Sequence, residues 1–287
     1  MPDVSASRSP EPELLGEQGR PFTNILCAVD GTSRSIAAVE QAAVLAGPQG
    51  HMTLLAVTAE GGSGAHHSAA ISPRRAERIL ERAIRIADRA EVACRTILDP
   101  AGPPSQVILE RAAEHDLLAL GAPWASWLGG ALLDGVAEAV LGSFSTPALA
   151  ARAVPNALDF ARHILVASDG LDGSDELVDL AARLAQACGG RLTLVHVAGA
   201  ESRARPHRIE SQGEKLRRAL GDRAELRVEV GAADEAITHV ASEGGCSLVV
   251  TCSRRLRGLG SLGSVSRRVV HKAPCSVLLM PPQPVRD

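Results

Sequence analysis

Short, unbroken apolar runs alternate along the chain with longer segments whose apolar residues recur every three or four positions. The first pattern belongs to strands buried on both faces, the second to helices that pack one side against a sheet. The runs over 25–29 and 164–167 predict such strands. After the second run, Ser174 reads as an N-cap, with Asp175 and Glu176 in the first turn. Leu177, Leu180, Ala181, Leu184 and Cys188 then share one helical face until Gly189-Gly190 stops it. Onward, the pattern predicts a strand over 192–197, a polar loop, a helix over 208–220 and a strand over 226–230. A helix over 234–242, a strand over 247–251, a helix over 264–271 and a strand over 276–280 complete the series. The earlier part of the chain follows the same order, with a long charged helix over 74–89 and a last strand over 147–151.

The order repeats because the sequence does. Asn24-Ile-Leu-Cys-Ala-Val-Asp30-Gly31 returns as His163-Ile-Leu-Val-Ala-Ser-Asp169-Gly170, 139 residues later. His51-Met-Thr-Leu-Leu-Ala-Val57 returns as Arg191-Leu-Thr-Leu-Val-His-Val197 at 140, and Asp116-Leu-Leu-Ala-Leu-Gly121 as Ser247-Leu-Val-Val-Thr-Cys252 at 131. Thr146-Pro-Ala-Leu-Ala150 and Ala273-Pro-Cys-Ser-Val277 close the two copies at 127. A period this long is a duplicated domain and not a solenoid unit. Alternating strands and helices imply parallel sheets with helices on both faces. The predicted fold class is therefore α/β: two doubly wound, Rossmann-like domains in tandem, over 21–155 and 160–284, behind a tail over 1–20. Ligands in such sheets sit at the carboxyl ends of the strands, where the strand order reverses.

Composition narrows the function. Of 287 residues only three are Phe, two Trp and none Tyr, so the aromatic stacking platform of a single-strand nucleic-acid binder is missing. A net charge of −3 gives no global attraction to nucleic acid or to an acidic membrane, and no stretch approaches the roughly 20 apolar residues of a membrane span. The tail carries Pro2, Pro10 and Pro12 and lacks the apolar segment of a secretory signal. It reads as disordered, on a cytoplasmic protein. The six cysteines form no Cys-x-x-Cys pair and read as reduced, mostly buried small hydrophobes.

At the strand ends, Asp30-Gly31 and Asp169-Gly170 follow the first strand of each copy. An Asp there either accepts hydrogen bonds from a ribose or an adenine amino group, or satisfies its own turn and the helix that follows. After the fourth strand the copies part. The second reads Cys252-Ser253-Arg254-Arg255 and continues to Gly263-Ser264, a glycine opening a helix, where free backbone N–H groups favour an anion. Between Arg254 and Lys272 stand six cations and no acid, of which Arg267, Arg268 and Lys272 read as a solvated helix face. Gly258-x-Gly260-x-x-Gly263 spells a dinucleotide fingerprint but follows the wrong strand. In the first copy no Lys or Arg occurs from Gly121 to Ser143, Asp134 stands at the helix start, and Trp124 adds bulk. That site reads as filled by the protein itself. His66-His67 sits in a Gly/Ser/Ala loop and reads as flexible, not metal-binding; no P-loop and no Ser–His–Asp signature occurs.

These strand ends, the Thr-Leu-Leu-Ala-Val and Thr-Leu-Val-His-Val second strands, and the closing Gly263-Ser-Val-Ser-Arg-Arg-Val-Val-His-Lys-Ala-Pro-Cys-Ser-Val-Leu resemble the universal stress protein family from about Asn24 to Met280. The resemblance implies the adenine nucleotide alpha hydrolase-like fold. It also implies, in the nucleotide-binding branch, a Gly-x-x-Gly-x9-Gly-Ser/Thr loop with an Asp after strand one and a Val ending strand two. Carried over, the candidate ligand contacts are Asp169, Val197, Ser253, Arg254, Arg255, Gly263 and Ser264. The two leading glycines are replaced by Cys252 and Arg255, and the loop is two residues shorter. Arg254 and Arg255 would supply phosphate contacts that the lost glycines cannot. In the first copy Asp30, Val57 and Gly121 match, but Trp124 and Asp134-Gly135 replace the second glycine and the Gly-Ser. A glycine lost from a phosphate cradle adds a Cβ where backbone must approach oxygen.

The expectation is a non-catalytic stress-response or regulatory protein with degenerate nucleotide sites, no catalytic residue and no metal site. The alternative is an ATP or AMP sensor acting through the C-terminal domain alone, and behind it a weak ATP hydrolase. The partner expected is an adenine nucleotide, not nucleic acid or membrane. Pairing through the last strand is expected either between two chains or between the two domains of one.

Overall fold

The computed structural model describes residues 19–58, 71–100, 102–122, 135–153, 159–198, 206–253 and 264–281. The first half runs β1 (Asn24–Ala28), α1 (Ser33–Ala46), β2 (His51–Val57), α2 (Pro73–Arg89), β3 (Ala93–Asp99), α3 (Pro104–Ala112), β4 (Leu117–Gly121), α4 (Gly135–Ser143) and β5 (Ala148–Ala151). The second runs β6 (His163–Ala167), α5 (Ser174–Ala187), β7 (Arg191–Ala198), α6 (Pro206–Leu220), β8 (Ala224–Val230), α7 (Ala233–Glu243), β9 (Leu248–Cys252), α8 (Ser264–Lys272) and β10 (Ser276–Met280). The ten strands among the described residues join one sheet in the order β3-β2-β1-β4-β5-β10-β9-β6-β7-β8. Every pairing is parallel except β5 with β10, where Ala150 stands opposite Val277. The last strands of the two halves thus seal one sheet within the chain, the intramolecular form of the pairing expected from sequence.

Alternation along the strands explains why each apolar run is continuous. Ile25 and Cys27 join a core under α1, α2, α5 and α6, while Leu26 joins the opposite core under α3, α4, α7 and α8. Both cores cross the β5–β10 seam: Leu149 and Leu278 belong to one, Ala148, Ala150, Val277 and Leu279 to the other. With almost no aromatics, helices approach through alanine. Ala38, Ala42, Ala181 and Ala185 are fully buried.

Two local readings change. Ser174 is the first helical residue of α5 and not its N-cap; Gly173, at φ 86°, holds that place, and the Ser174 hydroxyl donates to the Leu171 carbonyl at 2.7 Å. Arg20, assigned to the tail, is instead docked. Its guanidinium donates to the Val44 carbonyl and lies 3.9 Å from Cys188 Sγ, joining the ends of α1 and α5.

At the amino ends of the strands each half buries a histidine against the threonine of its second strand. His115 Nε2 lies 3.0 Å from Thr53 Oγ1, and His163 Nε2 lies 2.9 Å from Thr193 Oγ1. The other ring nitrogens face the carbonyls of Arg111 at 2.7 Å and Gly244 at 2.8 Å. The threonines are repeat-related; the histidines come from different elements.

Candidate functional site

In each half the strand order reverses between the first and fourth strands, β1 with β4 and β6 with β9, placing the crevice where the sequence pointed. In the first crevice the Asp30 carboxylate accepts from the Thr32 amide at 2.9 Å and from its hydroxyl at 2.7 Å. Thr32 in turn caps α1 by accepting from the Ser35 amide at 3.2 Å. Partial burial alone would raise the Asp30 carboxyl, but the hydrogen bonds from Thr32 and Ser35 outweigh it and hold the group below its usual value. The Val57 carbonyl accepts from Ile71 N at 3.4 Å. Gly121 carries no open space: a Cβ there would lie 2.6 Å from both the Arg34 carbonyl carbon and the Ser35 nitrogen. The first turn of α1 therefore requires this glycine for packing.

The second crevice keeps the outline and changes the details. Asp169 accepts from the Leu171 amide at 3.0 Å. Five positions separate Asp169 from Ser174, against three from Asp30 to Ser33, so the turn into α5 is two residues longer. Val197 is the next-to-last residue of β7, paired with Glu229, and packs at the rim of the core. Ser253 is fully buried, and its amide donates to the Met280 carbonyl at 2.9 Å. The repeat equivalent of Gly121 is Cys252, whose carbonyl accepts from the Ser266 hydroxyl at 2.9 Å and so ties the first turn of α8 to the end of β9. Ser264 opens α8, as predicted. Asp169, Val197, Ser253 and the start of α8 thus belong to the carboxyl-end side of one half-sheet. Arg254, Arg255, Gly263 and the Ser264 side chain lie outside the described residues, as do Trp124, Trp127, Asp134, His66 and His67.

The cations of α8 are bound to acids and not simply solvated. Arg268 Nε and Lys272 Nζ reach the two oxygens of Asp234, at 2.9 and 2.7 Å, and the Asp234 side chain is only 5% exposed. Burial would raise this carboxyl; the hydrogen bonds from Lys272 and Arg268 prevail and lower it. Arg267 pairs with Glu138 of α4, across the seam between the halves. Among the described residues the first turn of α8 carries no acid, whereas that of α4 carries Glu138.

A polar cluster that the sequence reading missed lies beneath the second crevice. The Ser168 hydroxyl donates to Gln212 Oε1 at 2.8 Å, and Gln212 Nε2 donates to Ser174 Oγ at 2.9 Å and Asp175 Oδ1 at 2.6 Å. His196 Nδ1 faces the Ser168 carbonyl at 2.9 Å, and both His196 and Gln212 are buried. The equivalent places in the first half hold Val29, Ala56 and Ile79, all apolar and buried. The signal was visible: Ser168, just past β6, and His196, within β7, stand where the first half is apolar, and Gln212 stands on the apolar face of its helix. Below it, α5 and α6 enclose an open groove of about 320 Å³ whose charges are internally matched, Lys215 with Asp179 at 2.6 Å and Arg208 with Asp172 at 2.9 Å.

None of the six cysteines is in a disulfide. Burial pushes the thiols of Cys246 and Cys275 up, to about 11 and about 12, which keeps them inert at neutral pH. Among the described residues no helix is long and apolar enough to cross a membrane.

Comparison with known proteins agrees with this architecture. A universal stress protein of Thermus aquaticus, described as lying in the QAH/OAS sulfhydrylase 3′ region, is 35% identical over 132 residues, covering 41% of this chain and 96% of that protein. The crystal structure of a universal stress protein from Archaeoglobus fulgidus shares the fold with a TM-score of 0.73 at 22% identity, over 90% of this chain and 97% of that one. A functionally unknown protein from Pseudomonas aeruginosa does so at a TM-score of 0.63 and 17% identity, over 91% and 93%. The model of the universal stress protein family matches twice, at residues 21–152 and 161–281. On the strength of these two matches, and of a sheet built twice over from the same five-strand order, the chain belongs to the universal stress protein family, with two of its domains in tandem.

Proposed function

We propose that this is a non-catalytic regulatory member of the family whose nucleotide sites are degenerate, the first more completely than the second. The observation that carries the reading is the internal use of the first crevice. Asp30 is engaged by Thr32, the Val57 carbonyl by Ile71, and Gly121 by the first turn of α1. Each of the three positions that match the nucleotide-binding pattern there already has a partner in the protein. Asp134, just before α4 in the sequence, adds repulsion toward phosphate, since Glu138 in the first turn is already paired with Arg267.

A second reading, an adenine-nucleotide sensor working through the C-terminal domain, is favoured by the opposite electrostatics of α8. Its first turn carries no acid, and the arginines that precede it in sequence, Arg254 and Arg255, suit phosphate contacts. In that reading Asp169 and Val197 flank the nucleoside, Ser253, Gly263 and Ser264 the phosphates.

Native mass spectrometry of the full chain with ATP, ADP and AMP in turn separates the readings. The degenerate protein retains none of the three. A single retained nucleotide, lost in the Gly263→Asp variant, establishes the C-terminal sensor. Two nucleotides per chain overturn the reading of the first crevice. Phosphate release that is stronger in the wild type than in Asp169→Ala would overturn the non-catalytic part.

A further inference from the structure

The outer strands β3 and β8 are the edges of the ten-stranded sheet, and edges left flat and apolar recruit other chains. The two are equivalent by repeat, yet they are treated differently. Leu98 of β3 stands beside Ala56, and Val228 of β8 beside the repeat-related His196; both side chains are exposed, 41% and 58%. On β3 the apolar edge stops there. Asp99 is buried against Arg111 of α3, whose guanidinium donates to it at 2.7 and 3.2 Å, and Pro100 has no N–H to offer a further strand. On β8 it continues, since Val230 is 83% exposed. Leu226, on the same face, lies under α6 at Gly213, so Val228 and Val230 prolong a core row past the helix that covers it. The opposite face alternates Glu225, Arg227 and Glu229, with Arg227 2.9 Å from Glu229 and 3.3 Å from Glu243 of α7.

This pattern is self-complementary in one arrangement. Let a second β8 lie antiparallel about a twofold axis through Val228. Val228 then meets its own counterpart, Leu226 meets the second copy's Val230, and Arg227 stands opposite the second copy's Glu229, in both directions. Moving the axis one residue, to Arg227, sets Arg227 against itself and Glu225 against Glu229, which like-charge repulsion disfavours. β5 and β10 are already paired within the chain and have no free side for this purpose. We propose that the protein forms a twofold dimer through β8, joining two ten-stranded sheets edge to edge in the register centred on Val228.

Sedimentation velocity of the full chain over a concentration series tests this. A dimer that dissociates on dilution is expected, and Val228→Lys or Val230→Lys should raise its dissociation constant about tenfold or more while the far-ultraviolet circular dichroism stays unchanged. The register has its own readout. Directly opposed antiparallel residues lie about 4.5–5.5 Å apart at Cα, within disulfide reach. Under mild oxidation Val228→Cys should therefore cross-link into dimers, and Val230→Cys, which faces Leu226, should not. A monomer at every concentration, a dimer indifferent to both lysine variants, efficient cross-linking through Val230→Cys, or polymers that lengthen with concentration by joining β8 to β3 would each overturn the proposal.

Discussion

Gln41 and Ser276, from α1 and the opposite half's last strand, share a buried hydrogen bond of 2.7 Å in which the serine donates. Gln41 Nε2 donates in turn to the Arg152 carbonyl at 2.6 Å, and the Arg152 amide donates to Ser276 Oγ at 2.9 Å. The three residues close a ring where β5 ends beside β10, and all are buried. Ser276→Ala removes one member and leaves an amide and a carbonyl oxygen buried without it. The expected cost is about 1–3 kcal/mol by urea unfolding of the full chain. Gln41→Leu should cost a similar amount, and the double variant less than the sum, because the two changes break one ring. Additive losses would mean that the ring is not a unit.

Gly121 offers a sharper test of packing. With its added Cβ 2.6 Å from the backbone of Arg34 and Ser35, Gly121→Ala must displace the first turn of α1. Overpacking of this kind typically costs about 1–3 kcal/mol. Gly135, at the start of α4, is different: a Cβ there would meet nothing within 4 Å, and Gly135→Ala should change stability by less than about 0.5 kcal/mol. Equal, small effects at the two sites in chemical denaturation would remove the packing role assigned to Gly121.

The pairs on α8 should differ in weight. Arg267 and Glu138 are partly exposed, so Arg267→Ala should cost no more than about 1 kcal/mol. Asp234 is buried beneath Arg268 and Lys272 and takes a charge-assisted bond from each; Asp234→Ala should cost about 1.5–3 kcal/mol. Thermal melts of the two variants beside the wild type report the ranking, and its reversal would refute it.

Acid should weaken the fold through His163. Burial, with Arg191 nearby, lowers its pKa below the ordinary 6.5, although the Gly244 carbonyl and Glu225 favour the charged form. The unfolded chain therefore takes up this proton more readily than the folded one. The stability contribution is complete above about pH 6.5 and is lost as pH falls through the folded pKa. His271, lowered by burial and by Arg267, acts in the same direction. Tm should fall between about pH 7.5 and 5.5, and less steeply for His163→Gln, which can keep both hydrogen bonds. Identical slopes would place the acid sensitivity elsewhere.

The repeat, the strand and helix order and the position of both crevices were legible in the sequence, because continuous apolar runs and helical periodicity report burial one element at a time. The Asp–Gly strand ends were legible too, but their partners were not. That Asp30 accepts from both the amide and the hydroxyl of Thr32 follows from a turn geometry that residue types do not encode. Ser168 and His196 stood out only by setting one half against the other, and Gln212 by its place on an apolar helix face; that the three meet was not legible.

Residue order was enough for the local rules: which segments extend, which coil, and where charge is missing. Which groups meet was left to the folded chain, since hydrogen bonds and ion pairs depend on contacts between residues far apart in the sequence. Folding brought Arg267 to Glu138 and Gln41 to Ser276, closed two half-sheets into one through β5 and β10, and left β8 as the edge that carries uncovered valines.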